Sequence, residues 1–178
     1  MIKFEEDQHY GYKERTIKNA SADVTIAIAI DFNTAGERLT KNAVVNQKNL
    51  YVPVHIKKLL NSVEETVRTI NRTKKDSISL NIAGNGIYTL VKHYMDQDYV
   101  DELVYMFLLN VVNSPDLKVK ISAIRTGGQT GIDEAGAKAG ERLGIPTSIL
   151  APKCWRFRNE KGEDISDESL FKNRFMNI

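Results

Sequence analysis

Apolar residues along this chain fall into two kinds of pattern. Four short runs are apolar at nearly every position: "VTIAIAI" (24–30), "SISLNIA" (77–83), "VKISAI" (119–124) and "TSIL" (147–150). Each is followed by a glycine- or proline-bearing loop, and such runs suit strands buried on both faces, as in a parallel sheet. A fifth run, "LYVPV" (50–54), is confined by Pro53 to an edge or a strand end.

Between these runs the apolar positions recur at helical spacing. In "HIKKLLNSVEETVRTI" the residues Ile56, Leu59, Leu60, Val63, Val67 and Ile70 share one stripe. "DYVDELVYMFLLNVV" is long and largely apolar, which predicts a well-buried helix ending ahead of Pro115. "IDEAGAKAGERLG" aligns Ile132, Ala135, Ala139 and Leu143 and stops at Gly144. Strands alternating with helices predict an α/β fold, a Rossmann-like three-layer domain with a mostly parallel sheet. No repeat or linker divides the chain, so one domain is expected over residues 1–178. Residues 1–20 read as an N-terminal arm or irregular cap, and 153–178 as a C-terminal tail without a clear period.

Composition acts mainly by exclusion. With 178 residues, 42% apolar and 27% charged, the chain is too apolar for disorder. A formal charge of +2 gives no reason to expect nucleic acid as a partner. Cys154 is the only cysteine, which excludes an intrachain disulfide and a multi-cysteine zinc site and fits a reducing cytoplasm. His9, His55 and His93 are scattered without ligand spacing, so no metal is expected, and no cofactor. The N-terminal twenty residues are crowded with charge and resemble no signal peptide, and the longest apolar run is far short of the roughly 20 residues of a membrane helix. A cytoplasmic protein without a membrane partner is expected.

The candidate chemistry lies in the loops after the strands, where ligands bind in open parallel sheets. In "SAIRTGGQTGIDEAG" (122–136), Gly127, Gly128 and Gly131 permit positive φ and close approach to a ligand, and a helix N-terminus follows. The spacing is neither the dinucleotide fingerprint nor the P-loop. Thr130 and Asp133 also have the spacing of a capping box. Asp133 and Glu134, both in the first turn, would repel bare phosphate and suit ribose hydroxyls, a metal or a reacting bond. In "AGNGIYT" (83–89), Gly84 and Gly86 allow tight approach, Asn85 donates and accepts, and Tyr88 offers a ring for a base. In "FNTAGERLTK", Thr34 reads as a helix N-cap and Arg38 as an anion clamp, with Glu37 and Arg38 on a solvated face as the plainer alternative. "PKCWRFR" mixes Lys153 and Arg156 with Trp155 and Phe157, a composition used on single-stranded nucleic acid, but the acidic "EKGEDISDE" follows directly. A basic rim over a small ligand is the better local reading.

From "GGQTGIDEAGAKAGERLGIPTSILAPKCWRFRNEKGEDI" onward the chain resembles the molybdenum-carrier branch of the SLOG superfamily of Rossmann-like domains. That branch carries a strand, a GGQTG-[VI]-D loop, an Ala-rich helix, "LGIP" and a "PKG"-type loop. Here these fall at Gly127–Asp133, Ala135–Ala139, Leu143–Pro146 and Pro152–Lys153. Cys154 stands where the branch tends to have glycine, and the GG strand comes late in the chain instead of near the N-terminus. The resemblance implies a nucleotide or nucleotide-derived ligand at the carboxyl edge of the sheet. One enzymatic branch, the cytokinin-activating phosphoribohydrolases, cleaves N-glycosidic bonds with a GG-x-G-T-x-x-E loop. Glu134 lies at the matching distance from Gly127, while the internal glycine is displaced by one residue.

The expected function is therefore binding of a nucleotide or nucleoside phosphate, as a sensor or sequestering protein. Backbone N–H groups of Gly127, Gly128, Gln129, Thr130 and Gly131 would hold phosphate, Asp133 or Glu134 would meet ribose, Asn85 and Tyr88 the base, and Lys153 and Arg156 would form a cationic rim. The alternative is an N-glycoside hydrolase using Glu134 or Asp133 as its catalytic carboxylate. Single-stranded nucleic-acid binding ranks last, and homo-oligomers are common in the superfamily.

Overall fold

The computed structural model describes residues 2–176. Its centre is a six-stranded sheet in which every pairing is parallel, in the order β1-β6-β5-β4-β2-β3. The strands are β1 (Ile2–Glu6), β2 (Val24–Ala29), β3 (Leu50–His55), β4 (Ser77–Gly84), β5 (Lys120–Thr126) and β6 (Thr147–Ala151). The helices are α1 (Lys13–Asn19), α2 (Ala35–Asn46), α3 (Val63–Ile70), α4 (Ile87–Leu90), α5 (Gln97–Val112), α6 (Ile132–Arg142) and α7 (Glu168–Asn173). With helices on its flanks, the sheet makes a three-layer, Rossmann-like α/β fold.

The strand interiors explain the order. All six residues of β2 are buried, as a central strand covered on both faces requires. At the far edge lies β3, whose Pro53 is exposed. Pro53 has no N–H to give a ladder, and an edge tolerates that. Ile26, Ile28, Leu80, Ile82 and Ile124 form the sheet's share of a core completed by Val67 and Ile70 of α3, Val104, Phe107 and Leu108 of α5, and Ile132 and Ala135 of α6. Each such side chain contributes roughly 1.5–3 kcal/mol on burial. Close packing of α6 on the sheet needs its small residues. A Cβ on Gly136 would lie 2.6 Å from Ile82, and one on Gly140 2.3 Å from the Thr147 hydroxyl.

Three expectations change. Residues 1–20, read as an arm or irregular cap, instead carry β1, which pairs with β6 over five residues, and α1. The stretch 55–70 is not one continuous helix, because tight 3₁₀ turns at Ile56–Lys58 and Leu60–Ser62 precede α3. The tail 153–178 contains an antiparallel hairpin of β7 (Arg156–Arg158) and β8 (Asp164–Ser166), followed by α7. Phe157, Phe171 and Phe175 pack with Ile149 and Ala137 in a second core beneath it.

Strand order also locates the switch point. From β2 the chain moves outward to β3, then returns past β2 to β4 and proceeds the other way through β5 and β6. The carboxyl ends of β2 and β4 therefore lead into loops that diverge, leaving a crevice between them.

Candidate functional site

A cavity of about 430 Å³ occupies this crevice. Its wall is built from the loop and first turn after β2 (Thr34 to Glu37), the end of β4 and its loop (Asn81 to Tyr88), the glycine loop after β5 (Gly127, Gln129, Thr130, Asp133), α1 (Tyr12, Arg15, Asn19) and Arg158 of the hairpin. The volume is at the lower end of the range for small-molecule pockets, about 300–1,000 Å³.

Thr34, Gly84, Asn85, Gly86, Tyr88, Gly127, Gln129, Thr130 and Asp133, all expected from sequence, meet here. Arg38 does not line the cavity; its guanidinium donates to the Asn33 carbonyl at 2.6 Å. Lys153 and Arg156 line a separate pocket of about 150 Å³ with Tyr10, Gly11 and Cys154, and Tyr12 is common to both pockets. Arg158 stands on the main cavity where Arg156 was expected. Trp155 packs edge-on against Phe171 at 5.5 Å and Phe157 is buried, so the aromatic rings of "PKCWRFR" serve the second core.

Glu134 also lies away from the cavity. It is 3% exposed and pairs with Arg174 at 2.6 Å and Lys138 at 2.7 Å, and Lys138 pairs in turn with Asp101 at 2.5 Å. This is a buried ion network joining α5, α6 and α7.

The glycine loop differs most from its expected form. Gly128 N–H donates to Thr126 Oγ1 at 3.3 Å, Gln129 N–H to Asp133 Oδ2 at 3.4 Å, and Gly131 N–H to Gln97 Oε1 at 2.7 Å. The donors expected to cradle phosphate are engaged within the protein, one of them by its own carboxylate. Thr130 does not cap α6. The N-cap is Gly131 at φ 85°, and Thr130 Oγ1 donates to the Arg158 carbonyl at 2.5 Å. Gln129 accepts from Arg158 N–H at 3.3 Å and donates to the Arg156 carbonyl at 2.9 Å, so the loop is stitched to the hairpin. Gly128, at φ 69°, faces the second core, where a Cβ would lie 2.5 Å from Ile149 and 2.6 Å from Phe171.

Asn85 is a frame for the β2 loop. It accepts from Ile30 N–H at 2.8 Å and Asp31 N–H at 3.1 Å and donates to the Asp31 carbonyl. Gly84 lets the two strand ends touch, since a Cβ there would run into the Ile28 carbonyl. Tyr88 is flanked by Lys92, 3.9 Å from its ring centre, and by Gly162 at the hairpin tip.

The charged lining was mostly not foreseen. Arg15 is 5% exposed; its Nη1 donates to the Gly127 carbonyl and its charge acts on Asp133. Glu37 is 4% exposed, with Oε1 3.5 Å from Asn85 Nδ2. Asn81 is 2% exposed and donates to Thr25 Oγ1 at 3.2 Å. Three atoms of this lining, Arg15 Nε, Glu37 Oε2 and Asn81 Oδ1, are buried and have no hydrogen-bond partner. Such groups are rare in folded proteins and costly without a partner.

Burial pushes the Glu37 carboxyl up to about 8, with Asp133 and Asp31 adding repulsion. Burial also raises Asp133 to about 6, against the pull of Arg15, the Gln129 and Gly127 N–H groups and Arg174. Near neutral pH one carboxyl is therefore ionised and the other protonated. No cluster of three or more His, Cys, Asp or Glu suited to a metal is found among the described residues. No helix among them is long and apolar enough to cross a membrane. No protein-family model, curated protein or solved structure matches the chain.

Proposed function

We propose that this chain binds a nucleotide or nucleotide-derived small molecule in the cavity between the ends of β2, β4 and β5, as a sensor or sequestering protein. The observation that carries the reading is a crevice at the switch point whose floor holds buried, unpartnered polar atoms from α1, α2 and β4. A ligand with complementary polar groups removes the cost of those atoms. The GGQTGID, LGIP and PK order, which resembles the molybdenum-carrier branch of SLOG domains, supports the ligand class.

A thermal-shift panel of nucleosides, nucleotides and dinucleotides tests this. A ligand at a hundred times its Kd stabilises the fold by about 2.7 kcal/mol. Gly86→Leu is the blocking control. A Cβ at Gly86 finds only the Thr130 carbonyl, at 3.7 Å, so bulk enters the cavity without backbone strain. Stabilisation by no member of the panel would overturn the proposal.

Asp133 and Glu37 favour a second reading, N-glycoside hydrolysis, because two carboxyls with separated titrations share the cavity. In that reaction the C1′–N bond breaks, water adds its oxygen to C1′ with Asp133 taking a proton, and Glu37 supplies a proton to the departing base. Free base released by the wild type and abolished in Asp133→Asn supports hydrolysis; ligand recovered intact supports binding alone.

A further inference from the structure

Glycine loops ahead of a helix are ordinarily phosphate sites because their N–H groups are free. Here the Gly128, Gln129 and Gly131 donors are already satisfied. The cations of the lining are committed as well. Arg158 forms two bonds to Asp164, at 2.8 and 3.0 Å, and Arg15 is held by the Gly127 carbonyl with Asp133 beside it. Gly127 is wedged between them, where a Cβ would lie 2.5 Å from both Arg15 Nη1 and Asp133 Oδ2. What remains unpartnered on the floor is mainly acceptor oxygen: Glu37 Oε2 and Asn81 Oδ1, both on side chains more than nine-tenths buried.

We infer that the ligand enters as a nucleoside, an uncharged base and sugar whose hydrogen-bond donors sit on Glu37 Oε2 and Asn81 Oδ1, and that phosphate has no seat on the glycine loop. The inference rests on the binding reading above and narrows it. Ile87, Ala83, Ala35 and Leu39 give the cavity apolar wall for a flat base, and its volume suits one nucleoside better than a dinucleotide.

Proton linkage separates a donor ligand from an anionic one. The groups acting on Glu37 are Asp133 of α6 and Asp31 after β2, both repelling its charge, while Tyr51 of β3 lies within its field and Arg15 of α1 neutralises Asp133. A hydroxyl or amino donor on Oε2 favours the ionised carboxylate, so binding releases a proton and tightens as pH rises towards 8. A phosphate near the same carboxyls favours their protonated forms and weakens over that range.

Calorimetric titration of the full chain with adenosine and cytidine, each beside its 5′-monophosphate, at pH 6.5, 7.2 and 8.0 reads this directly. At least one nucleoside is expected to bind as tightly as its monophosphate or tighter. Its Kd should fall three- to tenfold per pH unit, and the slope should vanish in Glu37→Gln. Asn81→Leu, which removes the second acceptor, should weaken the same nucleoside about tenfold. A monophosphate binding ten times tighter than its nucleoside, or affinity falling with pH, overturns the inference and leaves the binding reading standing. Binding of no nucleoside, nucleotide or dinucleotide overturns both.

Discussion

Glu37 stands three residues after the Thr34 N-cap, where a glutamate ordinarily folds back to the cap's own N–H. Thr34 Oγ1 does accept from Glu37 N–H at 3.2 Å, but the carboxylate turns to Asn85 and the cavity. The cost of that turn is readable as pH dependence. Glu37 and Asp133 are both raised above their ordinary values of 4.5 and 3.8, so the folded chain holds protons that the unfolded chain gives up. The stability they contribute is complete below about pH 4 and is lost as pH rises through 6 and then 8. Asp7 is buried too, but Lys18 and His9 hold it near 2, so its opposite effect is confined to acid below the ordinary range and offsets nothing at neutral pH. The melting temperature should therefore fall between pH 5.5 and 8.5, by at most about 1.4 kcal/mol of stability per pH unit for each group titrating. Glu37→Gln should flatten the upper half of that curve and raise Tm at pH 8.5; an unchanged curve in differential scanning calorimetry would refute the assignment.

The elements show why some of the site was readable from the sequence and some was not. Local rules sufficed for the strands rich in Val, Ile and Ala, for α2 with its threonine cap, for α5 with its apolar bulk, and for the loops at the strand ends. What local rules miss is where a side chain turns once distant elements arrive. Thr130 and Asp133 have capping-box spacing, yet Thr130 goes to the hairpin and Asp133 back to Gln129, because residues 156–158 and Arg15 compete for them. Asn81 was the one visible clue to the floor, a polar residue inside an otherwise apolar strand. Arg15 carried no signal, since α1 reaches the cavity only through the chain's crossing from the sheet's edge. Polar alternation hid β1, whose Lys3 and Glu5 are exposed, as an edge strand permits. Glu134 matched a catalytic spacing but belongs to the clasp between α6 and α7. Breaking a buried pair leaves an uncompensated charge on Arg174, so Glu134→Gln should cost about 3–5 kcal/mol in urea unfolding. Ligand affinity below the unfolding transition should be unchanged; a loss of binding without a loss of stability would return Glu134 to the site.

At the scale of the molecule, the sheet has an added strand at one end. β2 to β6 make a doubly wound unit whose switch point holds the cavity, and β1 closes the β6 edge. Phe4 of β1 meets Phe175 at 5.7 Å, so the same strand also covers the second core beneath the hairpin. Deleting residues 1–6 should expose the backbone of β6 as an open edge. The expected result is a lower Tm together with concentration-dependent association in light scattering; a truncated chain that stays monomeric with unchanged Tm would show that β1 is dispensable.

Cys154 and Trp155 both adopt left-handed backbone, at φ 60° and 53°, and this double kink aims the chain from β6 into the hairpin that carries Arg158. The indole at the kink is the only one in the chain and is packed beneath the Lys172 ammonium, 4.6 Å from its ring centre. Its emission is consequently an optical gauge of one joint: any shift of the hairpin away from the glycine loop changes the surroundings of a single fluorophore, with no label attached.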